Sequence, residues 1–235
     1  MPYRNLSLDE LARHIGMDAR EVRRLAEKGL LPGQMVGGEW RFNRAQLLDW
    51  LQSSMHTLGK QNLQNLERAM ADEPDTLILG RRLAPQAVEM NLAARSRPSV
   101  LRALVELAQR TGLVFDDAAL HAALVERENA GSTALPGGVA LPHPRRPLPY
   151  ATAEPLIAVG RVVGGLPFSA PDGRLTDIFV LICSHDDREH LRTLARLGLM
   201  FGATPLADEL RERDDNEAAL LHILQREREL LARRN

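Results

Sequence analysis

The sequence predicts an α/β domain built on a mixed sheet flanked by helices, preceded by a small helix-turn-helix unit and a helical connector. Three observations carry this. From Thr76 to about Ala232 helical and strand-like patterns alternate, and an α/β sandwich around a mixed sheet is the economical way to bury both. Before Ser53, two short capped helices meet at a glycine, the shape of a helix-turn-helix. Between the two regions, apolar residues recur at three-four spacing, which predicts a helix with one apolar seam. The expected boundaries are 1–53, 54–75 and 76–235.

A chain of 235 residues has room for one such small unit beside a medium domain. A net charge of −1 excludes a chain that is basic throughout but leaves room for a local basic patch. Lys28 and Lys60 are the only lysines, so the cations are almost all arginine. Cys183, the single cysteine, excludes an internal disulfide and a multi-cysteine zinc site. It ends the apolar run Ile178 to Cys183 and reads as a small core residue of a buried strand. No signal-peptide core is visible, and no apolar run reaches the ~18 residues a membrane helix needs. A soluble cytoplasmic protein without a membrane partner is expected.

Taken in order, Ser7-Leu8-Asp9-Glu10 is a capping box that opens a helix with Leu8, Leu11 and Ala12 on one face. Gly16 breaks it. Asp18-Ala19-Arg20-Glu21 reads as a second box, opening a helix with Val22, Leu25 and Ala26 inward that Gly29 ends. Met35 to Phe42 reads as a hairpin turning at Gly37-Gly38. Asn43 then caps a helix carrying Leu47, Leu48, Trp50 and Leu51. Helix-turn-helix, wing and helix together resemble the excisionase/MerR-like winged-helix family. Leu6 to Ala12, Val22 to Leu25, Gly29 to Pro32 and Trp40-Arg41-Phe42 carry that resemblance.

On the second helix Arg20, Arg23, Arg24 and Lys28 are spaced to share one outward face, opposite Val22 and Leu25. A basic face there is what a major-groove reader requires, and Arg41 on the hairpin could add a phosphate contact. DNA is therefore the expected partner of this unit, although Glu21 and Glu27 dilute the charge. In the connector, Met55, Leu58, Leu66 and Met70, with Asn62 as a single polar interruption, approximate a seam for a homodimer through residues 54–72.

In the third region Pro98 to Gly112 and Asp116 or Asp117 through Glu126 read as helices. Strands follow near Val139 to Leu141, Leu156 to Val163 and Ile178 to Cys183, then helices over Leu191 to Phe201 and Glu217 to Leu231. The chemistry concentrates between Glu126 and Arg146. Val139 to Leu141 reads as a short buried strand that ends at a solvent rim, placing His143 there. Imidazole in that position could be a general base, a metal ligand or a nucleophile. Arg127, Arg145 and Arg146 suit an anion, and phosphate fits the arginine fork best.

Arg127-Glu128, then Ser132-Thr133, then Gly138 to His143 resemble, in order, the phosphorylation site of phosphotransferase-system IIA domains of the fructose/mannitol/nitrogen-regulatory class. His190-Leu191-Arg192-Thr193-Leu194-Ala195-Arg196-Leu197 matches that family's second-histidine motif, and Phe168 to Gly173 its turn before the core strand. The resemblance spans roughly 76 to 230 and implies the IIA type-2 fold. It also implies that His143 carries a phosphoryl group received from an HPr-type phosphocarrier. His190 would then bind a phosphoryl oxygen, with Arg127, Ser132, Thr133 and Arg145 completing an oxyanion rim. No metal or other cofactor is expected.

One departure is Pro144, which has no N–H where the family usually keeps a backbone donor. His14, His56, His121, His185 and His222 lack comparable surroundings and read as surface or structural. A metal site at His185-Asp186-Asp187 and a Ser132-His143-Asp172 triad can be written from the residues, the latter without a nucleophile elbow. The leading expectation is a regulator whose phosphorylation state controls DNA binding. The alternatives are a phosphocarrier passing phosphate to a IIB cysteine, and a binding module with an inactive site.

Overall fold

The computed structural model describes residues 5–73 and 76–233. Ser7 opens α1 (Leu8–Ile15) with the reciprocal box: its hydroxyl accepts from the Glu10 amide at 3.3 Å, and the Glu10 carboxylate accepts from the Ser7 amide at 2.8 Å. Gly16 ends the helix at φ +67°, a left-handed position that favours glycine. A Cβ there would also stand 2.6 Å from the Asn65 carbonyl oxygen of the connector. The turn between the first two helices is thus pressed onto the chain that follows the unit.

Asp18 caps α2 (Ala19–Glu27) through the Arg20 amide at 2.8 Å. The second capping box does not form. Glu21 instead pairs with Arg24 at 2.6 Å, because an arginine one turn along is within reach of the same carboxylate. Strands β1 (Gln34–Val36) and β2 (Glu39–Arg41) pair antiparallel across Gly37 and Gly38, at φ +60° and +82°. A two-residue type I′ turn needs positive φ at both positions. Leu6 and Phe42 exchange backbone hydrogen bonds at 2.8 and 2.9 Å, which closes the unit, and α3 (Arg44–Ser54) is capped by Asn43.

After α3 come a 3-10 turn at Met55–Thr57 and helix α4 (Lys60–Ala69). The third region supplies α5 (Leu79–Arg82), β3 (Leu83–Glu89), α6 (Arg97–Gln109), α7 (Asp117–Ala130), β4 (Ala134–Leu135), β5 (Val139–Ala140), β6 (Leu156–Leu166), β7 (Thr176–Cys183), α8 (Asp187–Ala203), α9 (Leu206–Arg211) and α10 (Asn216–Ala232). Five strands form one sheet in the order β3-β6-β7-β5-β4. β3 runs parallel to β6 and β5 parallel to β7, while β6 pairs with β7 and β4 with β5 antiparallel. The sheet is mixed, as expected, and helices cover it. Among the described residues no helix is long and apolar enough to cross a membrane.

Two strands escape the sequence reading. β3 contains Pro85 and slips register between Leu83 and Val88; it is an edge strand, where a missing N–H is tolerated. β4 is two residues long. Helix α7 is longer than expected, running past Glu126 to Ala130, so that Arg127 and Glu128 lie in its last turn.

The dimer seam expected through 54–72 is otherwise engaged. Met55, Leu66 and Met70 of that seam are buried within the chain itself, where α4 packs along α8, while Leu58 is half-buried. Most of the apolar surface of the seam is thus covered inside the chain. Beneath this contact lies Arg196 of α8, at 0% exposure. Its guanidinium bonds Glu67 of α4 at 2.5 and 3.0 Å and Glu227 of α10 at 2.5 Å. Glu227 also accepts from the amides of Ile78, Leu79 and Gly80 at 2.7, 3.0 and 3.2 Å.

Replacing Arg196 by methionine keeps most of the volume but removes the cation that two buried carboxylates share. The expected cost is about 3–5 kcal/mol, read from urea denaturation at neutral pH.

Candidate functional site

β5 delivers the histidine. Ala140 pairs with Phe179, and the Pro142 carbonyl accepts from the Ile182 amide at 3.0 Å, so the chain follows β7 up to His143. The expected solvent rim is not found: His143 is only 2% exposed. Helices α7 and α8 close around the end of the strand, and α3 reaches the mouth of the site from the N-terminal unit.

The ring is oriented from both sides. Its Nδ1 lies 2.6 Å from the Leu141 carbonyl oxygen, and since a carbonyl can only accept, Nδ1 carries the proton. The Nε2 lone pair then accepts from Arg127 Nε at 3.3 Å. The His190 ring lies with its centroid 4.9 Å away, tilted by 55°. Among the described residues nothing bonds His190 Nε2, although it is buried. A buried polar atom without a partner is costly and calls for a function.

Both imidazoles are held neutral. Burial, then the neighbouring His190 and Arg127, keeps His143 well below its ordinary value. Burial and Arg127 push His190 down to about 3. Arg127 is lowered by its own burial but stays cationic, and its Nη1 donates to the Gly131 carbonyl at 2.7 Å.

Arg127, His143 and His190 thus form one buried cluster. The predicted hydroxyls do not turn towards it. Thr133 donates to Glu128 from its amide at 3.2 Å and from its hydroxyl at 2.8 Å, which orders the turn after α7. Ser132 donates to the Phe168 carbonyl and accepts from the Ala134 amide at 3.1 Å. Ser132 and Arg145 line, with Arg127, a cavity of about 270 Å³ beside the cluster, and Asp49, Gln52 and Ser53 of α3 line its other wall.

Asp49 accepts from Arg145 at 3.1 and 2.7 Å and lies 3.6 Å from Arg146. Gln52 donates to the Arg145 carbonyl at 3.3 Å. Neither residue had a signal in the sequence, because nothing local marks a side chain that meets its partner through another unit's surface. The Leu141 carbonyl was equally invisible, being backbone.

Other arrangements fall away. Asp172 accepts from the Gly137 and Arg174 amides at 2.8 and 3.2 Å, while His143 Nδ1 is engaged by Leu141, so the Ser132-His143-Asp172 triad is not assembled. Among the described residues no group of three or more His, Cys, Asp or Glu could hold a metal ion; His185 meets Thr152 at 3.1 Å and Asp186 caps α8. Cys183 is buried, with its thiol pushed up to about 12. On the N-terminal unit, Arg20, Arg23 and Arg24 of α2 and Lys28 at its C-cap are all exposed, over buried Val22 and Ala26. Arg41 pairs with Glu39 at 2.6 Å.

A neutral, tautomer-locked imidazole facing an arginine thus ends a short strand of this mixed sheet, in an α/β domain joined to a helix-turn-helix. The chain matches the phosphoenolpyruvate-dependent sugar phosphotransferase system EIIA 2 family over residues 82–227 and a helix-turn-helix domain family over 6–55. It belongs to the EIIA 2 family and carries an N-terminal helix-turn-helix domain. It is 31% identical over 138 residues to the nitrogen regulatory protein of Pseudomonas aeruginosa, covering 58% of this chain and 88% of that one. It is 24% identical over 140 residues to the PTS system fructose-specific EIIABC component of Bacillus subtilis, covering 59% of this chain but 22% of that longer protein. The crystal structure of nitrogen regulatory protein IIA-Ntr from Neisseria meningitidis superposes with a TM-score of 0.55 at 23% identity, over 61% of this chain and 97% of that one. At that identity the likeness speaks to the fold.

The two depressed histidines set a pH dependence. Unfolded, each takes a proton as pH falls through about 6.5, whereas folded His190 stays neutral to about 3. The unfolded chain binds more protons in that window, so stability is full above it and falls as pH drops. The slope is about 1.4 kcal/mol per pH unit for each histidine still neutral in the fold. Urea midpoints between pH 7.5 and 5 should decline, and His190→Gln should decline less steeply.

Proposed function

We propose that this chain is a regulator of the phosphotransferase system that accepts a phosphoryl group on His143 from an HPr-type phosphocarrier and couples that state to DNA binding. The observation that carries the reading is the His143 ring, neutral at physiological pH, with Nδ1 pinned and Nε2 presented towards Arg127. In the step, Nε2 attacks phosphorus of the donor's phosphohistidine. The donor N–P bond breaks, its electron pair returns to the donor ring, and an Nε2–P bond forms. Nδ1 keeps its proton and shares it with the Leu141 carbonyl, so no base has to act first.

The product carries about two negative charges near pH 7. Arg127 is at hand, and the orphan Nε2 of His190 gains an acceptor. A dianion there raises the His190 pKa, so that a proton taken up is donated to a phosphoryl oxygen. The exposed cations of α2 form the expected groove-reading face, with Arg41 as an added phosphate contact. A second reading, a carrier passing the group to a IIB cysteine, is favoured by the likeness to a fructose-specific EIIABC component.

Intact mass after incubation with phosphoenolpyruvate, enzyme I and HPr should show one acid-labile phosphoryl group, absent in His143→Ala. His190→Ala should slow its uptake by roughly 100-fold. No adduct with active partners would end the reading, and onward transfer to a IIB thiol without any DNA complex would favour the second. Reversing Arg23 and Arg24 to glutamate should abolish DNA binding at moderate salt. Neutralising either alone should lower the salt slope by about one, measured by fluorescence anisotropy.

A further inference from the structure

A carboxylate of the other unit walls the cavity beside Arg127. Helix α3 buries Leu47, Leu48 and Leu51 in the core, and its opposite side turns Asp49, Gln52 and Ser53 to the cavity shared with Arg127 and Arg145. Asp49 engages the Arg145 guanidinium with both oxygens, at 3.1 and 2.7 Å, and is 3.6 Å from Arg146. A two-oxygen anion on an arginine fork is the geometry a phosphoryl group also seeks. Arg145 and Arg146 follow His143 and Pro144 directly in the chain, so this contact ties α3 to the very loop that holds the nucleophile. The buried Gln52, whose amide donates to the Arg145 carbonyl at 3.3 Å, adds a second tie.

We propose that Asp49 is an internal ligand of the anion site, latching α3 across the unphosphorylated site, and that a phosphoryl group on His143 displaces it by taking Arg127 and Arg145. The inference rests on the reading that His143 accepts phosphate. Its direction follows from charge. Asp49 shares Arg127, Arg145 and Arg146 with the more distant fields of Glu126, Glu128 and Asp187, and a group of about two negative charges both repels Asp49 and outbids it for the cations.

The contact is able to open because the interface beside it is incompletely packed. A cavity of about 380 Å³ separates the helix-turn-helix core at Ile15, Leu47 and Leu51 from α8 at Asp187 and Leu191. Leu47, Leu48 and Leu51 hold the buried face of α3, but dispersion contacts are missing along the cavity, which leaves its outer face to the polar ties. Release of α3 loosens the base on which α1 and α2 rest, and so conveys the state of His143 to the basic face of α2.

Hydrogen exchange of the full chain tests this, on wild type and Asp49→Asn, each before and after treatment with phosphoenolpyruvate, enzyme I and HPr, with loading read by intact mass. Loading of wild type should speed exchange across residues 44–54 about fivefold, the factor of a solvated ion pair at the upper end of its usual range. Unloaded Asp49→Asn should already show that faster exchange and should take up phosphate about fivefold sooner. Loaded wild type with unchanged exchange over 44–54 would overturn the latch while leaving the phosphorylation reading intact. If wild type takes no phosphate, that reading fails, and the latch is judged on the unloaded pair. Equal exchange in wild type and Asp49→Asn rejects the tether, and faster exchange in the variant sustains it.

Discussion

Arg196 is the constraint on which the rest depends. A guanidinium removed from water must find carboxylates or it destabilises the fold by several kcal/mol, and this one finds Glu67 and Glu227. Those partners come from the connector and from the last helix, so satisfying a single charge draws α4, α8 and α10 together. The trio carries a net negative charge, which Glu227 offsets by accepting three amides at the start of α5. Since Arg196 and His190 share α8, whatever positions the guanidinium also positions the second imidazole of the site.

The same removal of water sets the chemistry at His143. Burial keeps both rings neutral, which supplies a lone pair without a base but leaves His190 Nε2 unbonded. His121 Nε2 is buried without a partner as well, so what sets His190 apart is its place against His143 and Arg127, where the proposed phosphoryl group would supply the missing acceptor. Glu128 serves the opposite purpose: by accepting from the Thr133 amide and hydroxyl it makes the loop rigid, so that Arg127 in the preceding turn keeps its aim.

The two units are joined by contacts of unequal character. At Gly16 the backbones approach so closely that no side chain fits, and α4 is bound through the Arg196 network. Around α3 the apolar face of Leu47, Leu48 and Leu51 borders a cavity, and a polar tie at Asp49 closes its outer side. A rigid anchor on one side and a charge-dependent tie on the other is an arrangement in which a change of charge moves one helix rather than the whole unit.

Much of this was legible in the residues. The Ser7 box, the Gly37-Gly38 turn, the basic spacing on α2 and the apolar run of β7 are local patterns, read at the period of a helix or strand, and each appears in the fold. The order of Arg127, Glu128 and His143 and the separate His190 motif marked the cluster through their resemblance to IIA domains, since no local pattern joins positions so far apart. Other features depend on what packs across. The connector seam looked the same whether it faced a second copy or α8, since apolar spacing does not name its partner. His143 was expected at a rim because a strand's end says nothing of the helices that cover it. Ser132 and Thr133 spend their protons on Phe168 and Glu128, Pro85 sits in a strand only because that strand is an edge, and Asp49 meets Arg145 from the far side of the chain. The sequence by itself determined which residues could react and which elements would carry them. Only the tertiary structure decided which were buried, which nitrogen kept its proton and which carboxylate held the mouth, because burial and electrostatic pairing are properties of surfaces that meet.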